Sequence, residues 1–200
     1  MQNPRHRVPS NWGLCFAGNE SAFCSALDEA LSTANGIFRY VEIGIGYGDC
    51  LRAVDQYLNQ CGKTFAIYGV DISECHPSAI ANQSSNVAIH LNGSIAFLRQ
   101  FPEKADFIFI DGCHGAPCVT ADFLAAEGVV RSGSVICFHD TDPGCQDIHP
   151  QPHCRTGIRA REAVEKLGLL NDTRKGWFKI GETSGDKGKG GHGCLFVKRV

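Results

Sequence analysis

The chain has 200 residues, with 19 Lys and Arg against 21 Asp and Glu, a formal charge of -2, and 43% hydrophobic residues. That length fits one domain with a full core, burying roughly 70% of its unfolded surface. Near-neutrality with scattered cations, apart from Lys187, Lys189, Lys198 and Arg199, excludes nucleic acid as the main partner. The longest clean apolar runs, such as Phe107-Ile108-Phe109-Ile110, span only a few residues, so no membrane span is expected. The first ten residues, MQNPRHRVPS, lack the apolar stretch of a signal peptide. The 11 cysteines are odd in number and several lie in apolar segments (Cys24, Cys50, Cys137), which points to a reduced, cytoplasmic protein.

Residues 1–18 lack periodicity and carry Pro4, Pro9, Gly13 and Gly18; they read as an irregular arm before a single domain over 19–200. A helix is expected from Asn19, with Phe23, Ala26, Leu27, Ala30 and Leu31 on one face and Asn35-Gly36 ending it. Strand and helix then alternate. FRYVEIG, TFAIYGVD, NVAIHL, ADFIFID and SVICFHD read as strands. The helices after them are DCLRAVDQYLNQ, a weak one over Pro77–Gln83, SIAFLRQF, APCVTADFLAAEGVV and RTGIRAREAVEKLG. GWFKIG and GCLFVKRV close the chain across a connection with six glycines between Gly181 and Gly193. Repeated strand-then-helix order with strands apolar on both faces predicts a doubly wound, mostly parallel α/β sheet. The last two strands, with no helix between them, should form an antiparallel hairpin at its edge.

In such sheets ligands bind beyond the carboxyl ends of the strands. The first strand ends in Val41-Glu42-Ile43-Gly44-Ile45-Gly46-Tyr47-Gly48, and glycines there let a ligand lie against bare backbone and free N–H groups. A dinucleotide fingerprint needs its third glycine at position 49, which is Asp49, so nicotinamide binding is disfavoured. Asp71 ends the second strand, where an acid either caps the next segment or accepts bonds from both hydroxyls of a ribose. Asn92-Gly93-Ser94 follows the third strand, and Gly-Ser there is common turn chemistry in which Ser94 suits a helix cap. The fourth strand ends in Asp111-Gly112-Cys113-His114 and the fifth in His139-Asp140-Thr141-Asp142. Asp111, His139 and Asp140 can converge from these adjacent loops.

The Glu-x-Gly-x-Gly-x-Gly loop resembles the first motif of class I S-adenosylmethionine-dependent methyltransferases. The ends of strands four and five resemble the small metal-dependent O-methyltransferases related to the catechol and macrolide-sugar enzymes. The resemblance runs over roughly residues 38–200 and implies S-adenosylmethionine held by Glu42, Gly44, Gly46, Gly48, Asp71, Ile72, Gly93, Ser94 and Asp111. It also implies a divalent metal (Mg, Mn or Fe) at Asp111, His139 and Asp140. His114 lies three residues after Asp111, where the catechol enzymes carry a lysine base, and an imidazole suits removal of a hydroxyl proton. The expected reaction is methyl transfer to a hydroxyl of a small-molecule acceptor, a sugar or a phenol. The pair His139-Asp140 departs from the catechol pattern, and an imidazole is a poor ligand for Mg²⁺. The resemblance also touches the cephalosporin hydroxylase-like oxygenases, and a non-catalytic cofactor-binding protein is the other rival. Oligomeric state stays open, a homodimer included.

The stretch 145–154, with Cys145, His149, His153 and Cys154, has ligands for zinc but not the paired spacing of a zinc knuckle. It reads better as a stiff loop bordering the substrate pocket, given Pro150 and Pro152. Trp12 and Trp177 suit either core packing or stacking on a substrate.

Overall fold

The computed structural model describes residues 9, 12, 17–73, 84–144, 159–186 and 192–200. The elements are α1 (Glu20–Thr33), β1 (Phe38–Ile43), α2 (Asp49–Cys61), β2 (Phe65–Asp71), β3 (Val87–Leu91), α3 (Ser94–Gln100), β4 (Ala105–Ile110), α4 (Ala116–Ala126), β5 (Val130–Phe138), α5 (Ala160–Lys166), β6 (Trp177–Glu182) and β7 (Leu195–Arg199). One seven-stranded sheet runs in the order β3-β2-β1-β4-β5-β7-β6. Strands β1 to β5 are parallel, and β7 lies antiparallel between β5 and β6. The expected doubly wound sheet with its C-terminal antiparallel hairpin is therefore what the chain forms. Among the described residues no helix is long and apolar enough to cross a membrane.

The strand alternation feeds two cores. On β4, Phe107 and Phe109 face the helices α1 and α2, where Phe23, Leu27 and Leu51 pack. Ile108 and Ile110 face the opposite layer, with Phe123 and Val164. Burying one such side chain contributes about 1.5–3 kcal/mol, so the fully buried β4 is the central beam of the sheet. Both tryptophans belong to these cores: Trp12 meets Phe23 at 5.2 Å and Trp177 meets Phe123 at 5.2 Å. Each is almost fully buried, which leaves core packing as their role.

Two local readings need correction. The apolar run ending in Val129-Val130 is not the tail of α4; that helix stops at Ala126 and β5 begins at Val130. The Ala105 amide donates to the Val129 carbonyl at 2.8 Å, which draws this segment into pairing with β4. The last helix begins at Ala160 with Arg159 extended before it, so Arg159 is not helical; the rest of the expected start, 155–158, lies outside the described residues. The weak helix over 77–83 and the Cys and His stretch 145–154 lie outside the described residues, as does most of the arm 1–18. Among the described cysteines none is in a disulfide, and Cys24 and Cys137 are buried apolar thiols.

The order reverses at β1, which lies between β2 and β4, and this opens a crevice at their carboxyl ends. Ladder bonds continue just past the strands. The Gly44 amide donates to Val70, Asp111 to Ile43 and His139 to Ile110, at 2.9, 2.9 and 3.1 Å. Three chain segments are thereby set side by side at the crevice mouth.

Candidate functional site

A cavity of about 640 Å³ fills this crevice, within the range of sites that take a small ligand. Its walls include Gly44, Gly46, Asp71, Ile72, Gly93, Ser94 and Asp111. Gly44 has φ +84°, and a Cβ there would lie 2.3 Å from the Asp111 carbonyl oxygen, so only glycine fits. The bare turn is thus what lets β1 and β4 close up at the site.

Asp71 ties the glycine loop to β2. One carboxylate oxygen accepts from the amides of Ile45 at 2.9 Å and Gly46 at 3.4 Å. The other accepts from the Ser73 amide and hydroxyl, both at 3.1 Å. Burial works against ionisation of Asp71, but these N–H bonds prevail and hold its carboxyl below the ordinary value. Ile72 beside it is 74% exposed, an apolar side chain on the cavity rim.

Glu42 and Gly48 do not line the cavity. Glu42 is 1% exposed at the root of the loop and accepts from the Tyr40 hydroxyl at 2.8 Å. Burial pushes its carboxyl up to about 8, against the lowering effect of that hydrogen bond. Gly48 is the left-handed N-cap of α2. Ser94 does line the cavity, but it is not the cap: Gly93 is the N-cap of α3, and its amide donates to the Asn92 side chain at 2.8 Å. The Ser94 hydroxyl instead donates to Asp122 of α4 at 2.5 Å. Asp122, which the sequence reading did not single out, is also a wall residue.

Beside the cavity, sharing its wall residue Asp111, stands a corner of imidazoles and carboxylates; His114, His139 and Asp140 do not themselves line the cavity. Asp111 Oδ1 lies 2.8 Å from His139 Nδ1 and 3.9 Å from His114 Nε2. Asp140 has His114 Nδ1 at 3.0 Å from one oxygen, and His192 Nδ1 bonded to the other. Its backbone sits at φ 57°, a left-handed conformation uncommon for a residue with a side chain and concentrated at functional sites. Burial opposes ionisation of Asp140, yet hydrogen bonds from the three imidazoles hold its carboxyl far below the ordinary value. Burial alone would lower His139, but the Asp111 charge beside it raises that imidazole well above the usual histidine range. Donor atoms of Asp111, His139 and Asp140 all lie within 4.8 Å of one another, so these three residues could hold a metal ion.

His192 is the member of this corner that sequence reasoning missed. It reaches Asp140 from the glycine-rich connection between β6 and β7, 52 residues away in the chain. Buried Asn19 fixes that connection by donating to the His192 carbonyl and accepting from the Thr183 hydroxyl. Thr141, next to Asp140, donates its amide to the Gly193 carbonyl at 3.0 Å. A Cβ on Gly193 would meet the Thr183 carbonyl oxygen at 2.4 Å, which explains a glycine directly after His192.

A reversed-order parallel sheet with a glycine turn, an acid at the end of β2 and a titratable corner at β4 and β5 defines a Rossmann-like enzyme. The chain belongs to the methyltransferase domain family, whose model matches residues 41–141, and family and fold make it a class I S-adenosylmethionine-dependent methyltransferase. Among solved structures, an O-methyltransferase from Bacillus cereus in complex with SAH aligns at TM-score 0.66 and 18% identity, over 96% of this chain and 84% of that one. TomG, an O-methyltransferase from Streptomyces achromogenes in complex with SAM, aligns at TM-score 0.62 and 18% identity, over 92% and 82%. MycE, a methyltransferase in complex with Mg, SAH and mycinamycin VI, aligns at TM-score 0.63 and 19% identity, over 97% of this chain but 55% of that one. At these identities the likeness is one of fold. No curated protein matches the chain.

Proposed function

We propose that the enzyme methylates a hydroxyl of a small-molecule acceptor, a sugar or a phenol, with His114 taking the hydroxyl proton. One observation carries this: Asp111 belongs both to the cavity wall and to the imidazole corner, so a ligand in the cavity ends at the titratable groups.

On this reading the cavity seats S-adenosylmethionine, which when bound supplies an electrophilic methyl group on a sulfonium. Gly44 and Gly46 give it bare backbone, and Gly48, off the cavity wall, starts α2. Asp71 accepts from the ribose hydroxyls, Ile72 offers apolar surface to the base, and Gly93 and Ser94 border the base. Glu42 acts from below as a buried support for the loop. Methyl transfer is an in-line displacement, so the chain mainly positions the reactants and manages one proton.

His114 fits the proton's destination. His114 Nδ1 stands 3.0 Å from the Asp140 carboxylate, which favours the proton on that nitrogen and leaves Nε2 with a lone pair for the acceptor hydroxyl. Asp111, His139 and Asp140 would hold a divalent cation, which would polarise the acceptor hydroxyl and lower its pKa. Two carboxylates and an imidazole fit such an ion in number and in kind.

The test is release of S-adenosylhomocysteine over a panel of phenols and sugars, each paired with its methyl ether. Product with the hydroxyl compounds and none with the ethers is expected. Methylation confined to amines or carbon acids would overturn the reading.

A further inference from the structure

The metal corner can be read further, resting on the methyltransferase reading above. We propose that it selects a first-row transition dication, of the manganese-to-zinc series, over magnesium, with His139 as the selecting ligand and His192 as a positioning residue for Asp140.

The distances carry the first half. Ligand atoms around one cation at about 2.1 Å stand roughly 3.0–3.4 Å apart in octahedral or tetrahedral arrangements. His139 Nδ1 lies 2.8 Å from Asp111 Oδ1 and 3.5 Å from Asp140 Oδ1, which brackets that interval. His139 cannot easily leave. Its side chain is 4% exposed and is walled by the Phe109 ring at 6.0 Å and the stacked His192 ring at 5.9 Å. A cation drawn in by the two carboxylates therefore meets an imidazole nitrogen as its third protein donor. Magnesium favours an all-oxygen shell and binds nitrogen poorly, whereas the later first-row dications accept imidazole readily.

The second half rests on Asp140. One of its oxygens is hydrogen-bonded to His192 Nδ1, the other faces His114 Nδ1 at 3.0 Å, and its backbone is in the left-handed region. Outer contacts of this kind orient a ligating carboxylate. His192 itself lies outside the mutually close donor set of Asp111, His139 and Asp140, so its part is to aim Asp140.

The test uses the full chain stripped with a chelator and titrated calorimetrically with Co²⁺, Mn²⁺ and Mg²⁺, with Co²⁺ visible absorption as a direct view of the ligands. Co²⁺ is expected to bind at least a hundredfold more tightly than Mg²⁺. His139→Asp, which supplies an all-carboxylate set, should lower that ratio at least tenfold and change the Co²⁺ spectrum. His192→Ala should weaken every dication roughly 10–100-fold at an unchanged ratio, and His192→Asn, which restores a donor toward Asp140, should recover part of the loss. Mg²⁺ binding within tenfold of Co²⁺ in the unmodified chain overturns the proposal whether or not the variants fold. So does an unchanged ratio in His139→Asp, or a ratio that shifts in His192→Ala. S-adenosylmethionine titrated into the same samples separates the two readings. Cofactor binding with no dication binding removes the metal assignment alone, and absence of cofactor binding removes the methyltransferase reading beneath it.

Discussion

The glycine-loop wall of the cavity and the imidazole corner beside Asp111 are built differently. At the glycine-loop wall, backbone does most of the work: Asp71 gathers the amides of Ile45, Gly46 and Ser73, and Gly44 lets β1 press against the Asp111 carbonyl. At the corner, side chains do it, with His114, His139, His192, Asp111 and Asp140 brought from three separate stretches of chain. Amides and a carboxylate in a tight turn can hold a ligand's polar edge but cannot shuttle a proton. Imidazoles on carboxylates can. The division assigns binding to the cavity and chemistry to the corner, with Asp111 as the joint.

The largest expected effect is on turnover. Replacing His114 with Ala should lower methyl transfer by about 10²–10⁴-fold while cofactor affinity holds, because the general base is lost but the loop is untouched. Steady-state kinetics beside calorimetry reads this split, and a parallel fall in affinity would break the division.

A pH effect comes next, at the root of the glycine loop. The Glu42 carboxyl is raised from 4.5 to about 8 in the folded chain by burial. Between those values the folded state holds a proton that the unfolded state has released. The stability linked to this proton is complete below about 4.5 and is lost as pH rises through about 8, at up to about 1.4 kcal/mol per pH unit. Glu42→Gln should flatten that slope in denaturant titrations; an equal slope in both proteins would mean Glu42 is not the group responsible.

Asp71→Ala should weaken S-adenosylmethionine by about 2–3 kcal/mol, roughly a hundredfold, since charged acceptors for the ribose and for the loop amides are removed together. Unchanged affinity would sink the ribose assignment. Smallest is Asn19→Ala, at about 1–2 kcal/mol of stability, from loss of the buried clasp on the His192 connection. It should lower turnover more than cofactor affinity, since what it frees leads to Asp140.

The same contrast explains what the sequence disclosed. The glycine loop and Asp71 are local features at fixed offsets from strands with strong apolar patterns, so both were legible. Asp111, His139 and Asp140 were legible for the same reason, each at a strand end. His192 was not, because a lone histidine in a run of glycines carries no pattern; only the antiparallel insertion of β7 beside β5 brings it to Asp140. Ser94 looked like a cap because Gly-Ser before a helix commonly is one, whereas tertiary packing gave its hydroxyl Asp122 instead. The start of β5 was misplaced because Val129 and Val130 continue the apolar pattern of α4, and pairing with β4 overrides it.

The most direct test is a paired experiment on the unmodified chain, Asp71→Ala and His114→Ala: calorimetric titration with S-adenosylmethionine, then single-turnover methyl transfer to whichever hydroxyl acceptor releases S-adenosylhomocysteine. The account predicts that Asp71→Ala loses affinity, and that with cofactor supplied at saturation its transfer rate recovers. His114→Ala should bind normally and transfer slowly. Loss of binding in His114→Ala together with normal binding in Asp71→Ala would contradict the division between cavity and corner at Asp111.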